Sequence, residues 1–397
     1  MKKQFLAGCL CMAAMLTGCG AFTGAGQQTA VLPEATQSTQ VQQEAENTEE
    51  KSTQSMEDSG GRRDTPETES EVAKEPQIQS VTITAVGDCT LGPTQTHGYE
   101  GSFHDYYDRN GEDYFLGGVR NLFETDDFSL VNLECVLSES NDRVEKTWNL
   151  KGKPGYVGIL TGSSVEGASL GNNHTFDYGQ SGLDDTRNVL DEAGIIFGFN
   201  EHVDTYETDS GIVIGIVSAS QLSADEKHAN YMRDGIKKLR QEGVDLVIAS
   251  CHWGIEGDHY PNDYQQKLAH QIIDWGADVL IGTHPHVLQG VELYKGKLIC
   301  YSLGNFCFGG NRNPADKDTA VFRQTFTFED GVLQNGICAD MIPYSISSTT
   351  QRNDFRPTPA EGDRKKAIIS KLNDYSKSYS NIEFDSDGRL QIRDQKE

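Results

Sequence analysis

Between Val81 and Phe308 the chain repeats one pattern, in which a short apolar run gives way to a polar or helix-period stretch and then to another apolar run. "VTITAV" (Val81 to Val86) alternates β-branched with other apolar residues and predicts a strand that ends at Gly87-Asp88. "FSLVNLECVLSE" predicts a second strand from Phe128, and "SSVEGASLGNNHTFDYG" a third that runs into a loop. "GIIFGF", "GIVIGIVSAS", "VDLVIASCHWG", "ADVLIGTHPH" and "KLICYSLGNFCFGG" supply further strands. "VDLVIASCHWG" is nearly continuous in apolar residues, as a strand covered on both faces must be. Helices are predicted over "SGLDDTRNVLDEAG", over about Ser223 to Glu242, and over "YQQKLAHQIIDWG", the first and last stopped by Gly194 and Gly276. Residues 97–118 read as a polar, glycine-rich loop with many aromatics. Beyond Met341 the pattern weakens to one helix, "DRKKAIISKLNDYSKSY", and a closing strand, "GRLQI". Strands alternating with helices predict an α/β domain whose helices cover sheet faces.

The first 80 residues follow another rule. "MKKQFLAGCLCMAAMLTGC" places two lysines before an apolar run and then small residues, the form of a secretory signal peptide and too short to span a bilayer fully. Residues 20–79 are rich in Gln, Thr, Ser, Glu and Pro and nearly devoid of aromatics. Such a segment cannot bury enough apolar surface to offset its ordering entropy, so it is expected to be a flexible acidic tether. The expected organisation is therefore a signal peptide over 1–18, a tether over 19–79, a catalytic-type domain over 80–345 and a C-terminal extension over 346–397 packing on it.

A formal net charge of −26 argues against nucleic acid, whose phosphates require Lys and Arg. A small anion could still bind where a metal supplied local positive charge. Of nine cysteines, Cys9 and Cys11 lie in the signal peptide and Cys19 at its end. The other six show no CxxC spacing, and most fall in apolar runs, where a lone thiol acts as a small core residue.

Chemistry gathers at the strand ends. Asp88 follows the first strand, Glu134 lies in "VNLE", and Asn173 and His174 stand in "LGNNH". His252 ends "VIASCH", and His284 and His286 end "VLIGTHPH". Each has an ordinary explanation alone: a turn cap, a surface charge, a packed histidine, a proline-stiffened corner. Loops at the carboxyl ends of α/β strands converge on one crevice, however. Two carboxylates, an amide and four histidines there make an oxygen–nitrogen donor set suited to a divalent ion.

These residues stand in "VGDCTLG", "VNLE", "LGNNHTFDYG", "CHWGIE", "IGTHPHVLQG" and "YSLGNFCF", in that order over about Val81 to Phe308. In this the chain resembles the CapA family of capsule and poly-gamma-glutamate synthesis proteins, related to calcineurin-like metallophosphoesterases. "LTGC" (Leu16 to Cys19) resembles the lipobox of bacterial lipoproteins, which implies cleavage before a lipidated Cys19. The family resemblance implies an α-β-β-α sandwich of four layers with metal at one sheet edge. It implies Asp88, Glu134, Asn173, His252, His284 and His286 as ligands and His174 as the catalytic histidine. The phosphoesterase pattern has a histidine two residues after its first aspartate; here "CTLG" follows Asp88, and Glu134 stands for the bridging aspartate. Two-metal hydrolysis is thereby in question, and one or two ions of Mn, Zn or Fe fit the donor set.

On this reading His174 would give a proton to a leaving group, Asp177 would orient it, and Trp253, Glu256 and Asn305 would shape a substrate pocket. The expected protein is extracytoplasmic, held to the membrane through Cys19, and active in capsule or poly-gamma-glutamate synthesis or anchoring. Its expected partners are an anionic surface polymer and a membrane synthase or export complex. The residues leave open a non-catalytic alternative, a polymer-binding or scaffold subunit of such a complex.

Overall fold

The computed structural model describes residues 75–222 and 226–393. The signal peptide, Cys19 and all but the last few tether residues lie outside them. Among the described residues two large sheets form a mixed α/β fold. One runs in the order Thr358–Pro359, Cys338–Ser345, Asp318–Glu329, Ile78–Thr90, Phe128–Leu133, Gly167–Ser169, Ile196–Gly198, with Asn305–Phe308 pairing beside Ile78–Thr90. The other runs Val291–Tyr294, Lys297–Cys300, Val279–Thr283, Leu246–Trp253, Val213–Gln221, Asp204–Glu207.

Side-chain alternation along the strands sorts the core into three apolar clusters. Ile216, Ile248 and Ile281 of one sheet join Ile83, Ala85 and Leu130 of the other in a single cluster. Their sequence neighbours Val217, Ala249 and Leu280 instead pack with Ile236, Leu239, Leu268 and Ile272. Those four lie on helices Glu226–Gln241 and Asp263–Trp275. Val86 and Val131 likewise turn to Phe103, Phe115, Leu183 and Leu190. Strands covered on both faces therefore carry the near-continuous apolar runs seen in the sequence.

Several boundaries depart from the sequence expectations. The first strand begins at Ile78, inside the expected tether, and continues past Gly87-Asp88 to Thr90. Opposite it, Ala85 pairs with Leu130 but Asp88 with Asn132, so three steps on one strand answer two on its partner. This extra residue is a bulge. It returns Asp88 to the inter-sheet face already held by Ile83 and Ala85. Gly87 is required there, because a Cβ would lie 1.9 Å from the Gly304 carbonyl oxygen. "FSLVNLECVLSE" breaks into Phe128–Leu133 and Val136–Leu137, and Glu134 lies between them, its amide donating to the Cys89 carbonyl at 2.9 Å.

The expected loop at 97–118 contains helices Phe103–Asn110 and Asp113–Leu116, the first capped by Ser102, whose hydroxyl accepts from the Asp105 amide. Phe103 and Phe115 are fully buried, so the aromatics of this stretch form a packing face. Asp318–Glu329 and Cys338–Ser345, which the sequence pattern did not mark as strands, pair antiparallel in the first sheet, and the weakly patterned tail contains helix Gly362–Ser376. Ile368, Ile369 and Leu372 of that helix enter the inter-sheet cluster. Cys89, Cys135, Cys251, Cys300 and Cys307 are buried free thiols, and Cys338 is exposed and free.

Two acids brace the start of Phe128–Leu133. The Ser129 amide donates to Glu166 (2.8 Å) and its hydroxyl to Asp126 (2.8 Å). Burial raises Glu166 to about 7 and Asp126 to about 6. A carboxyl raised in the folded state gives stability that is full below its unfolded value and lost as pH rises through its folded value. These two carboxyls should therefore contribute a loss of stability between pH 5 and pH 8. Glu166→Gln, which keeps an acceptor for Ser129, should reduce that loss by on the order of 1 kcal/mol in urea titrations at the two pH values.

Candidate metal centre

The residues at issue lie where the carboxyl ends of both sheets meet. Asp88, Asn132 and Asn305 are lateral neighbours in the first sheet, because Asp88 pairs with both. His252 pairs with Thr283 in the second. Even-numbered residues of Leu246–Trp253 face the opposite sheet, and His252 continues that row. Trp253 is one step on and points the other way. It is fully buried in the helix-side cluster and donates its indole N–H to the Tyr301 carbonyl at 2.8 Å. The expectation that it shapes the pocket is therefore corrected by strand alternation.

His284 and His286 follow Val279–Thr283, and both have positive φ, 95° and 59°. Non-glycine residues seldom adopt such angles, at a cost of about 1–3 kcal/mol each, and retain them where the surroundings impose them. Three contacts do so here. The His284 amide donates to Asp88 Oδ2 (3.4 Å), the Pro285 carbonyl accepts from the Gly257 amide (2.8 Å), and Asn305 grips His286. Asn305 Oδ1 lies 2.9 Å from His286 Nδ1, and its Nδ2 donates to the His286 carbonyl at 3.1 Å.

The donor atoms converge. His286 Nδ1 is 3.2 Å from Asp88 Oδ2, and its Nε2 is 3.9 Å from Glu134 Oε1. His252 Nε2 is 3.5 Å from the same Glu134 oxygen, 3.0 Å from Asn173 Oδ1 and 3.1 Å from His284 Nδ1. Asp88, Glu134 and His252 have no exposed surface. Glu134, His284 and His286 offer ligand atoms within 4.8 Å of one another.

Electrostatics point the same way. Burial, reinforced by Asp88, pushes the Glu134 carboxyl well above its usual range. Burial and the neighbouring His284 hold His252 well below the usual imidazole range, and burial with His286 lowers His284 to about 4. Burial works against a proton on His286 too, but Glu134 and Asp88 outweigh it and hold that ring high. Burial thus favours neutral rings at His252 and His284, whose lone pairs lie beside two buried acidic side chains. Glu134 Oε1 is buried and accepts no hydrogen bond. A buried acceptor left in that state is costly, and a divalent cation among oxygen and nitrogen donors would complete it. The residues present fit such an ion, with no thiol in the set; Cys89 faces the helix-side cluster.

His174 lies at the edge of this group, its Nε2 3.9 Å from Glu134 Oε1. Its Nδ1 is 2.6 Å from Asp177 Oδ2. Asp177 is itself fully buried, accepting from the Leu150 amide (2.6 Å) and from Lys146 Nζ (2.6 Å). Burial lowers His174, while Asp177 works in the opposite direction. A cleft of about 610 Å³ opens over Glu134, His174 and His286. Glu256 and Asn305 line it, together with Trp148, His97 and Phe308.

Sequence reasoning missed four supports. Asn132 donates to Asp88 Oδ1 (2.8 Å); its spacing of two from Glu134 in "NLE" was the available signal. Asn172 donates to the Leu133 carbonyl (2.9 Å) and accepts from the His174 amide (3.0 Å), fixing the "GNNH" turn. Thr283 Oγ1 lies 3.0 Å from His252 Nδ1. Lys146, in a segment without periodicity, also donates to the Asn173 carbonyl at 2.9 Å.

The family profile of the bacterial capsule synthesis protein PGA_cap matches residues 82–310, more than half of the chain and every residue of the cluster. This chain belongs to the PGA_cap family. The PGA biosynthesis protein CapA of Bacillus subtilis (strain 168) is 27% identical over 306 residues, 71% of this chain and 76% of that protein. The capsule biosynthesis protein CapA of Bacillus anthracis is 28% identical over 332 residues, 77% of this chain and 76% of its own length. A hypothetical protein from Thermus thermophilus, known by crystal structure, aligns at 16% identity with a TM-score of 0.42 over 66% of this chain and 99% of that one. The PGA_cap match ends at residue 310, so Asp318–Glu329, Cys338–Ser345 and the last helix lie beyond it.

Elemental analysis of the purified chain should find a divalent metal. Chelation should lower its stability by about 3–4 kcal/mol if the ion was held at 100 to 1,000 times its dissociation constant. Glu134→Gln and His284→Ala should each lose most of the metal and most of the response to chelator.

Proposed function

We propose that this chain is an extracytoplasmic, lipid-anchored protein that acts in the synthesis or anchoring of a capsule or poly-gamma-glutamate surface polymer, through a hydrolase-like metal centre. The observation that carries this reading is the buried convergence of Asp88, Glu134, Asn173, His252, His284 and His286 in a PGA_cap chain. The relatives' names as PGA and capsule biosynthesis proteins support the biological role. Three apolar clusters, one between the sheets and one on each outer side, support reading the fold as the four-layer α-β-β-α sandwich of metallophosphoesterases. Among the described residues no helix is long and apolar enough to cross a membrane. The lipobox-like "LTGC" supports the proposed lipid attachment at Cys19.

In this mechanism Asp88, Glu134, Asn173, His252, His284 and His286 would hold one or two ions of Mn, Zn or Fe. The ion supplies Lewis acidity and a clamp for a developing oxyanion. The protein supplies orientation and protons. Asp177, pinned by Lys146 and the Leu150 amide, fixes the His174 ring through Nδ1, so a proton is exchanged with the leaving group at Nε2. Glu256, Trp148 and Asn305 border the cleft in which an extracytoplasmic phosphoester or an amide-linked polymer would lie.

One observation favours the non-catalytic reading. Thr90 stands two residues after Asp88, where the phosphoesterase pattern has a histidine, and its hydroxyl lies 3.5 Å from Glu134 Oε2. A centre short of one ligand could bind a polymer carboxylate or phosphate without cleaving it.

With added Mn or Zn, the purified protein should turn over poly-gamma-glutamate or a generic phosphodiester. His174→Ala should cut that turnover by about 10²–10⁴-fold without changing metal content. In producing cells both His174→Ala and Cys19→Ser should abolish the surface polymer. Polymer that survives His174→Ala but is lost in Cys19→Ser would replace catalysis with the binding role.

A further inference from the structure

The metal cleft does not end at its rim. A second cavity of about 660 Å³ shares Gly257, Val287, Ala315 and Asp316 with it, so the two form one continuous depression. Their linings differ in charge. Among its lining residues the cleft carries Glu134, Glu256 and Asp316 and no lysine or arginine. The second cavity carries Lys317, Arg364 and Lys371 against Asp316 and Asp318, with His259 beside them. Three cations face two carboxylates there, a local positive excess in a chain of net charge −26.

The cations are held in place. Arg364 lies 2.9 Å from Asp318 Oδ1 and Lys371 2.7 Å from Asp318 Oδ2, so one carboxylate fixes both on the wall. Lys371 also lies 3.6 Å from Asp316. Lys317 has no carboxylate partner among the described residues. Its ammonium donates to Asn313 Oδ1 (2.7 Å) and the Thr350 carbonyl (3.4 Å), both neutral, which leaves its charge uncompensated. Arg364 and Lys371 come from helix Gly362–Ser376, and all five charged residues lie beyond the family match at 310. Residues beyond the family match thus add a basic wall beside the cleft built by the family motifs.

We infer that this groove is an anion subsite, which takes carboxylates of a polymer whose neighbouring unit lies in the metal cleft. The inference rests on the reading of the cleft as one for an anionic polymer and adds where the chain leaves it. A repeating carboxylate is the ligand that fits, since an acidic surface repels it everywhere except along a track of excess positive charge. Lys317 is the cation available to it, and Asp316, at the junction of the two cavities, sets how strongly the track repels the polymer.

The test is fluorescence anisotropy of a labelled γ-linked glutamate oligomer titrated with the full chain at low and high salt, with labelled neutral dextran as control. The native protein should bind the oligomer in preference to dextran, less tightly at high salt. Lys317→Glu should weaken binding about fivefold, and Asp316→Asn should strengthen it about twofold, the range expected of exposed charges. Neither change touches a metal ligand, so metal content by elemental analysis should match the native protein in both. Equal affinity in all three proteins, or no preference of the native protein over dextran, would overturn the subsite. The metal-centre reading fails by different signs, absent metal or absent His174-dependent turnover, and opposite shifts in the two charge variants would support the groove even then.

Discussion

Two carboxylates without access to water govern the chemistry of this protein. Asp88 and Glu134 sit within one cluster of side chains, and a second negative charge beside the first is disfavoured where solvent cannot screen it. The fold answers by converging histidines on them. The two acids favour a proton on His286, while burial disfavours one on His252 and His284. This is an arrangement poised for a cation. An ion of charge two would supply the compensation that one imidazolium supplies in part, and would engage the unpartnered Glu134 oxygen.

Holding that arrangement requires departures from regular geometry, and each has a local cause. A bulge at Val86-Gly87 brings Asp88 onto the inter-sheet face, and only glycine allows the close approach of Gly304 there. Positive φ at His284 and His286 aims two rings from one short turn into one site, with Asn305 and Asp88 holding the strained backbone. Strain of this kind collects where function demands a geometry that the regular elements do not supply. Behind His174 the same logic appears in hydrogen bonds, since Asp177 commits its oxygens to His174, Lys146 and the Leu150 amide.

Much of this was legible because periodicity and strand ends are written locally. The buried strands, the helices stopped at Gly194 and Gly276, and the donor residues all follow from residue type and spacing. Asp318–Glu329 was harder. Its polar run Arg323-Gln324-Thr325 interrupts the apolar pattern, and the alternation of partly exposed Arg323, Thr325 and Thr327 with buried Gln324, Phe326 and Phe328 shows only once the neighbouring strands are known. Lys146 carried no signal, since a lysine in an irregular segment is ordinary until Asp177 is seen beside it. Trp253 was misjudged because proximity to His252 in sequence is opposition across a strand.

By itself the sequence determined which chemical groups are present, the alternation of strands and helices, and the acidic charge that makes a basic groove conspicuous. These depend on neighbours within a few residues and need no knowledge of the rest of the chain. The tertiary structure decided which face each group occupies. Alternation along a strand has a period of two, so one bulged residue at Gly87 moves Asp88 from the helix-side core to the candidate metal site. It also decided that residues far apart in sequence, Asp316 and Lys371 on one side and Glu134 and His174 on the other, border one continuous depression. No local pattern encodes that, because charge and donor atoms act through distance in space.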